Sequence, residues 1–272
     1  MSPSSRLRAA LFVLVTTLLA ACGGGDDDDD DGGSSADAGP GSTVDAGADA
    51  GAADAGEELC PGQLTFEALV ADAESSEPVF EVELAEVGAS NQAASAPNGR
   101  AVLCLPAGAD SQVRSTRKSY LDRLDTLAAD AVAAAAAAAQ PYPLDVMDAV
   151  AADTLLAALG PERDGADSLL LVSVVSYPDG QPLVGASVSI DVVDNDGAFA
   201  RDASGDFAAS SRSEIGDGRV LMFANVALAG GSEEGRASIT VTPPEEYEGA
   251  CVGPSSVELV AGGLSGALFA CR

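Results

Sequence analysis

Beyond Cys60, apolar and polar residues alternate in short runs separated by turn residues, and that period of two predicts strands. In Leu64–Val70, Leu64, Phe66, Ala68 and Val70 share one face. Val79–Val87 repeats the pattern, with Phe80, Val82 and Leu84 inward and Glu81, Glu83 and Glu86 mostly outward. Asn98-Gly99 reads as a turn leading into a strand over Arg100–Leu105, which Pro106-Ala107-Gly108 ends. Gln112–Arg117 is a weaker strand. Further along, Leu169–Ser176 is continuously apolar, Pro178–Leu183 is a turn, and Val184–Ile190 alternates again. Asp217-Gly218-Arg219 precedes a strand over Val220–Val226, and Ala237–Thr242, Val257–Val260 and Ala267–Cys271 supply three more. Roughly seven short strands in about 105 residues suit one sandwich that buries its own core.

Residues 120–160 break this rhythm. Leu121, Leu124, Leu127 and Ala131 recur at helical spacing, with Asp122, Asp125 and Asp130 pointing elsewhere. Ala131–Ala139, interrupted only by Val132, has very high helix propensity, and Pro141 and Pro143 end the run. A second helix is expected from about Asp145, as N-cap, to Leu159, with Met147, Val150, Thr154 and Leu155 on one face. Gly160-Pro161 stops it. The expectation is a helical hairpin packed on its own domain. The alanine run is too short and weakly apolar to span a bilayer.

The N-terminus has a different pattern. Arg6 and Arg8 precede an apolar segment, Ala9–Ala20, which has the length of a signal peptide core. It ends in Leu19-Ala20-Ala21-Cys22, which resembles the lipobox of bacterial lipoproteins. The resemblance implies cleavage before Cys22, a diacylglycerol thioether on Cys22 and usually an acylated amine. Several chains anchor stably where one does not. Gly23 does not match the Asp that retains such proteins in the inner membrane of the families compared, so the outer membrane is favoured. Residues 23–56 are Gly, Asp, Ala and Ser, with Asp26–Asp31 unbroken and Asp-Ala-Gly recurring at Asp37, Asp45 and Asp54. Such a segment cannot bury enough apolar surface to order itself. It reads as a solvated, self-repelling spacer, and a disordered aspartate run offers calcium no fixed geometry. An export signal in the run is the alternative.

Composition narrows the chemistry. Thirteen basic against 43 acidic residues give a net charge of −30, which excludes nucleic-acid binding through a broad basic face. The chain has no His, so Ser-His-Asp and Cys-His catalysis and mixed His/Cys zinc sites are excluded. Lys118 is the only lysine. Ser115-Thr116-Arg117-Lys118 matches the S-x-x-K of penicillin-binding enzymes, but no second Lys can supply Lys-Thr-Gly, Ser-Asp-Asn is absent, and the match lies in a predicted strand. Asp191, Asp194, Asn195, Asp196 and Gly197 suggest calcium, yet the EF-hand frame fails, with Val192 at its first position and Ala203 at its twelfth. A polar turn is the simpler reading. No metal and no cofactor is predicted.

Two stretches resemble known modules. Asn98-Gly99-Arg100, a strand, Leu105-Pro106-Ala107-Gly108, a strand and Tyr120 resemble the carboxypeptidase regulatory-like, transthyretin-like sandwich, although Ser119 stands where that pattern has Gly. Asp179-Gly180-Gln181-Pro182-Leu183-Val184-Gly185-Ala186-Ser187-Val188, with Phe223-Ala224-Asn225-Val226 later, resembles the same class and bacterial Ig-like repeats. In those enzymes the sandwich is an appendage to a zinc peptidase domain needing His ligands, so no peptidase activity carries over.

The expected architecture is mainly β: two small β-sandwich modules with an α-helical hairpin insert. The boundaries are a signal peptide at 1–21, lipidated Cys22 with a disordered linker at 22–56, module one at 57–119, the hairpin at 120–161 and module two at 162–272. In an oxidising compartment the four remaining cysteines, Cys60, Cys104, Cys251 and Cys271, read as two disulfides. Three connectivities are possible. Cys60–Cys104 with Cys251–Cys271 is favoured because each module then staples itself. A Cys₄ zinc site is the rival, without CxxC spacing to support it. The functional expectation is a non-enzymatic, lipid-anchored envelope protein that is structural, adhesive or protein-binding. The alternative is a carbohydrate or peptide binder using loops such as Asp194–Gly216, and the scarcity of aromatics and absence of Trp count against carbohydrate stacking. The expected partners are the membrane, through the lipid, and an envelope or extracellular protein.

Overall fold

The first strand, β1 (Leu64–Asp72), follows the predicted face, with Phe66, Ala68 and Val70 buried. The computed structural model describes residues 59–210, 212–228 and 234–272. The expected signal peptide, Cys22 and the expected linker, with the residues up to Glu58, lie outside them. The chain continues through β2 (Glu83–Glu86), β3 (Gln92–Ala94), β4 (Arg100–Leu105), β5 (Ser111–Thr116), β6 (Arg123–Leu127), α1 (Ala129–Ala137), β7 (Tyr142–Val146) and α2 (Ala149–Leu159). Then come β8 (Ser168–Ser176), β9 (Gln181–Pro182), β10 (Ser187–Ile190), β11 (Ala198–Arg201), β12 (Phe207–Ala209) and β13 (Val220–Val226). The last are β14 (Glu234–Thr242), β15 (Cys251–Val252), β16 (Ser256–Val260) and β17 (Leu264–Cys271).

One long sheet organises the described residues. Its strand order is β12-β11-β13-β8-β17-β6-β5-β2-β3, with β9 on β8 and β15 on β17. The C-terminal strand β17 runs parallel to both neighbours, β8 and β6, and so joins the two halves of the chain in one hydrogen-bonded ladder. Two three-stranded sheets, β4-β1-β7 and β10-β14-β16, lie on opposite faces of it.

The faces can be followed along β8 and β17, because successive side chains point to opposite sides. On the front face, Phe66, Leu103 and Leu144 of β4-β1-β7 pack on Leu84, Val113, Leu127, Leu268 and Val175. Farther along that face, Ala152 and Leu156 of α2 pack on Leu169, Leu171, Met222 and Leu264. On the back face, Val188, Ile239 and Leu259 pack on Leu170, Val172, Val174, Leu221, Phe223, Ala267 and Phe269. Strands covered on both sides need no polar positions, which explains the unbroken apolar run of Leu169–Val175.

The helical hairpin is corrected by the structure. Leu121, Leu124 and Leu127 do not form a helical stripe, since 123–127 is strand β6. Leu127 is buried on the front face and Leu124, three residues earlier on the same strand, is buried on the back, so sandwiched strand residues mimic helical spacing. The two helices are separated by β7, which pairs in parallel with β1. Pro143 is accommodated because β7 is an edge strand. Asp145 is not an N-cap. It is 2% exposed within β7, and Asp148 caps α2 by accepting from the Val150 and Ala151 N–H groups. Gly160 does end α2, at φ 121°. In 79–87 only Glu83–Glu86 is strand, because Glu81 takes φ 58°, and Phe80 is exposed instead of buried.

Candidate functional site: an open sheet face and a buried ion-pair network

Cys22, the expected lipidation site, lies outside the described residues. The other four cysteines are joined as Cys60–Cys104 and Cys251–Cys271. Cys104 is on β4, and Cys60 sits just before β1, the strand β4 pairs with. Cys251 and Cys271 are directly opposed in the antiparallel pair β15–β17. The S-x-x-K residues are kept apart. Ser115 is buried in β5 with its Oγ unpartnered, and Lys118 is exposed in the turn beyond the strand.

The acidic loop at 191–197 is occupied by its own hydrogen bonds. Asp191 accepts from the Ser238 N–H, and the Ser238 side chain first and that N–H second hold its carboxyl below the usual value. Asn195 accepts from the Gly197 N–H, and Asp196 accepts from the Asn225 amide. Asn225, on β13, also donates to the Glu162 carbonyl and accepts from the Asp164 N–H, so its side chain ties the loop and the segment between α2 and β8 to that strand. Among the described residues no group of three or more Asp, Glu or Cys is arranged to hold a metal ion. Nor is any described helix long and apolar enough to cross a membrane.

The densest charge chemistry is buried on the front face, between β6, β7 and β11. Arg123 is 3% exposed and Asp125 is 0% exposed. Both point to the front, two residues apart on β6, and form a bidentate pair through Nε–Oδ2 at 2.6 Å and Nη2–Oδ1 at 2.5 Å. The remaining Arg123 Nη1 donates to the Asp145 carbonyl. The Asp145 carboxylate in turn faces Arg219 at 3.3 Å and Arg201 at 3.8 Å. Arg201 donates onward to the Gly205 and Glu74 carbonyls and to Ser76 Oγ. Burial works against charge on Arg123, but the Asp125 carboxylate and its hydrogen bonds, with Asp145, outweigh it and raise the guanidinium above its ordinary value. Gly266 on β17 makes the space, since a Cβ there would overlap the Asp125 carboxylate and the Arg123 guanidinium. Beside the network Tyr142 is fully buried with an unpartnered hydroxyl, and its phenol is pushed well above the usual value, first by burial and then by Asp125.

The sequence reading placed Asp125 on an exposed helix face and missed this network. Its signal was present as Arg123-Leu124-Asp125, opposite charges two apart, which on a strand share one face.

The back face is open where β10-β14-β16 does not reach. Its floor is Gln92 and Ala94 on β3, Glu83 and Ala85 on β2, and Arg114 and Thr116 on β5. Glu258–Ala261 form a side wall with Val87, Gln112, Arg114 and Leu124, around a cavity of about 330 Å³. At the lower end Arg117, Lys118 and Ser119 adjoin Glu81, Glu83 and Asp122 around a groove of about 690 Å³. Arg117 lies over the Tyr120 ring at 5.0 Å.

No protein-family model and no curated protein matches the chain. Among solved structures, the Bacillus anthracis TIE protein is 11% identical, with 77% of this chain and 34% of that chain covered and a TM-score of 0.23. The chain spans about a third of that protein's length. The shaft pilin SpaA from Lactobacillus rhamnosus GG is 12% identical, with 76% and 96% covered and a TM-score of 0.26. At such scores the functional reading rests on the chain's own residues.

Proposed function

We propose that the chain is a lipid-anchored protein of the bacterial envelope that holds a disulfide-stapled, two-sandwich β unit away from the membrane for structural or adhesive contact. The observation that carries this is Leu19-Ala20-Ala21-Cys22 directly behind a charged n-region and an apolar core. The Gly/Asp/Ala linker that follows is a spacer of about 34 residues, with an r.m.s. span of roughly 30–35 Å before its charge extends it. The absence of His in the whole chain and the commitment of its most buried carboxylates to arginines support a non-enzymatic role. Outer-membrane residence follows from Gly23 behind the lipid cysteine. The test is protease shaving of intact cells with detection of the C-terminal strand. Loss of signal on intact cells supports display at the surface. Survival until the outer membrane is permeabilised overturns display and places the unit in the periplasm.

A further inference from the structure

The open back face is a trench that follows β5. The groove of about 690 Å³ at its lower end shares Glu83 and Thr116 with a cavity of about 320 Å³ over the floor. That cavity shares Arg114 with the one of about 330 Å³ against Glu258–Ala261. Gln112, Arg114 and Thr116, alternate residues of β5, link the three in turn, and Lys118 ends the line. From Gln112 to Lys118 is six residues, about 20 Å, which an extended peptide of about six residues also spans.

The trench changes character along its length. Its upper end is apolar, with Val87, Leu124 and Leu259. Its lower end brings Glu81, Glu83 and Asp122 beside Arg117 and Lys118. None of the described residues lining the three cavities is aromatic, so ring faces on which sugars or bases could stack are missing. Among the described residues, the cations without a carboxylate within 4.0 Å are Arg114, Arg117, Lys118 and Arg272, and the first three line the trench. Glu81, Glu83 and Asp122 make no ion pair with a described residue either. Both signs of charge therefore share one surface without neutralising each other. At the same end Glu81 and Ser119 hold left-handed backbone, at φ 58° and 73°, which non-glycine residues adopt at a cost.

This balance selects the ligand. A wholly anionic one meets three carboxylates and a chain of net charge −30. A wholly cationic one meets Arg114, Arg117 and Lys118. A ligand with both signs satisfies both sets. Arg114 stands opposite Ala85, and Glu83 is two residues along that neighbouring strand, so the two are about 8 Å apart. Side chains two residues apart in an extended peptide share a face and are about 7 Å apart.

We propose that the trench binds a short extended peptide carrying an ammonium and a carboxylate two residues apart, the carboxylate on Arg114 and the ammonium on Glu83. Arg117, Lys118, Glu81 and Asp122 take the next charged residue or a free terminus, and apolar residues at the peptide's other end lie on Val87, Leu124 and Leu259. This gives the contact-making role proposed above a surface and a partner chemistry. It depends neither on Cys22 nor on which side of the membrane the unit faces, so peptide binding and surface display fail separately.

The test is titration calorimetry of the full chain in 0.15 M NaCl with capped alanine hexapeptides. One carries Lys and Glu two residues apart, its isomer carries them adjacent and so on opposite faces, and a third carries two Lys two residues apart. The expected result is about tenfold tighter binding of the first than of the other two. Arg114→Glu, a change at an exposed position, should reverse the order, so that the two-lysine peptide binds tightest. A gain of that kind cannot come from misfolding. The proposal is overturned if the isomer or the two-lysine peptide binds the parent as tightly as the first. It is equally overturned if Arg114→Glu leaves the order unchanged, or if no peptide binds at millimolar concentration.

Discussion

Replacing Asp125 by Asn removes one charge and almost no volume from the most buried ion pair. Arg123, 3% exposed, then keeps only the Asp145 carbonyl as a good acceptor and faces an amide where it had a carboxylate. Breaking one side of a buried pair costs about 3–5 kcal/mol, a large share of an ordinary domain's stability of about 5–15 kcal/mol. For a folded unit of this size that corresponds to a melting point lower by roughly 6–20 °C. Removing both charges is a different perturbation. Arg123→Met with Asp125→Leu replaces the pair by apolar groups of similar size and leaves only the Asp145 carbonyl without its donor. The double variant should lie within about 1 kcal/mol of the parent. Urea unfolding of the parent, Arg123→Met, Asp125→Leu and the double variant, with disulfides intact, gives the coupling energy. That energy should be several kcal/mol and the same at 0.05 and 0.5 M NaCl, because solvent ions do not screen a buried pair. A cost below about 1 kcal/mol for Asp125→Asn, or a double variant as unstable as the single one, would refute the reasoning.

Three further outcomes follow from the same packing. Tyr142→Phe removes a buried hydroxyl without a partner and should raise the urea midpoint by an amount equivalent to about 1 kcal/mol. The Tyr142 phenol is held above its ordinary value of about 10, so the unfolded chain ionises there while the folded chain does not. Its contribution is therefore complete below pH 10 and lost as pH rises beyond it, and in Tyr142→Phe the alkaline fall in melting point, measured from pH 9 to 11.5, should be shallower. Gly266→Ala forces a Cβ into the Arg123–Asp125 pair and should cost at least about 1–3 kcal/mol in urea unfolding. Opening Cys251–Cys271 by paired Ser substitution should cost about 3 kcal/mol and opening Cys60–Cys104 about 4 kcal/mol, from sequence separations of 20 and 44 residues, by calorimetry.

The strands with one wet face were legible in the sequence. Arg100–Leu105 is β4 to the residue, with Ala101, Leu103 and Leu105 buried. Gly99 is the turn expected, at φ 76°, where a Cβ would strike the Val70 carbonyl. Illegibility began where a strand is covered on both sides. β6 has Leu127 facing front and Leu124 facing back, so its leucines fall three apart, and its two charged residues point into the core. β7 was hidden by Pro141 just before it and Pro143 within it, because a proline rules out a central strand and β7 is an edge strand. The joining of the halves through β17 was not legible either. A parallel pair between residues 123 and 264 leaves no local mark, since its partners are set by what the whole chain buries.

Of the residues singled out for chemistry, the loop at 191–197 behaves as a polar turn. Ser115 and Lys118 share a motif but not a site, because one side chain enters the core and the other leaves the strand end. The open face was not read from the sequence. Arg114, Gln112 and Thr116 are the polar half of an alternating strand, and nothing local shows that the opposing sheet stops short of them.

The anchor is the premise of the account, and the mass of the mature N-terminus tests it most directly. The full chain is expressed in a bacterium with lipoprotein processing, extracted in detergent, and its N-terminal fragment weighed beside that of Cys22→Ser. The account predicts a first residue of Cys22 carrying a diacylglyceryl thioether, recovery in the membrane fraction, and an uncleaved, unlipidated Cys22→Ser chain. A mature chain with an unmodified Cys22, or one that begins elsewhere and is recovered without membrane, would contradict it.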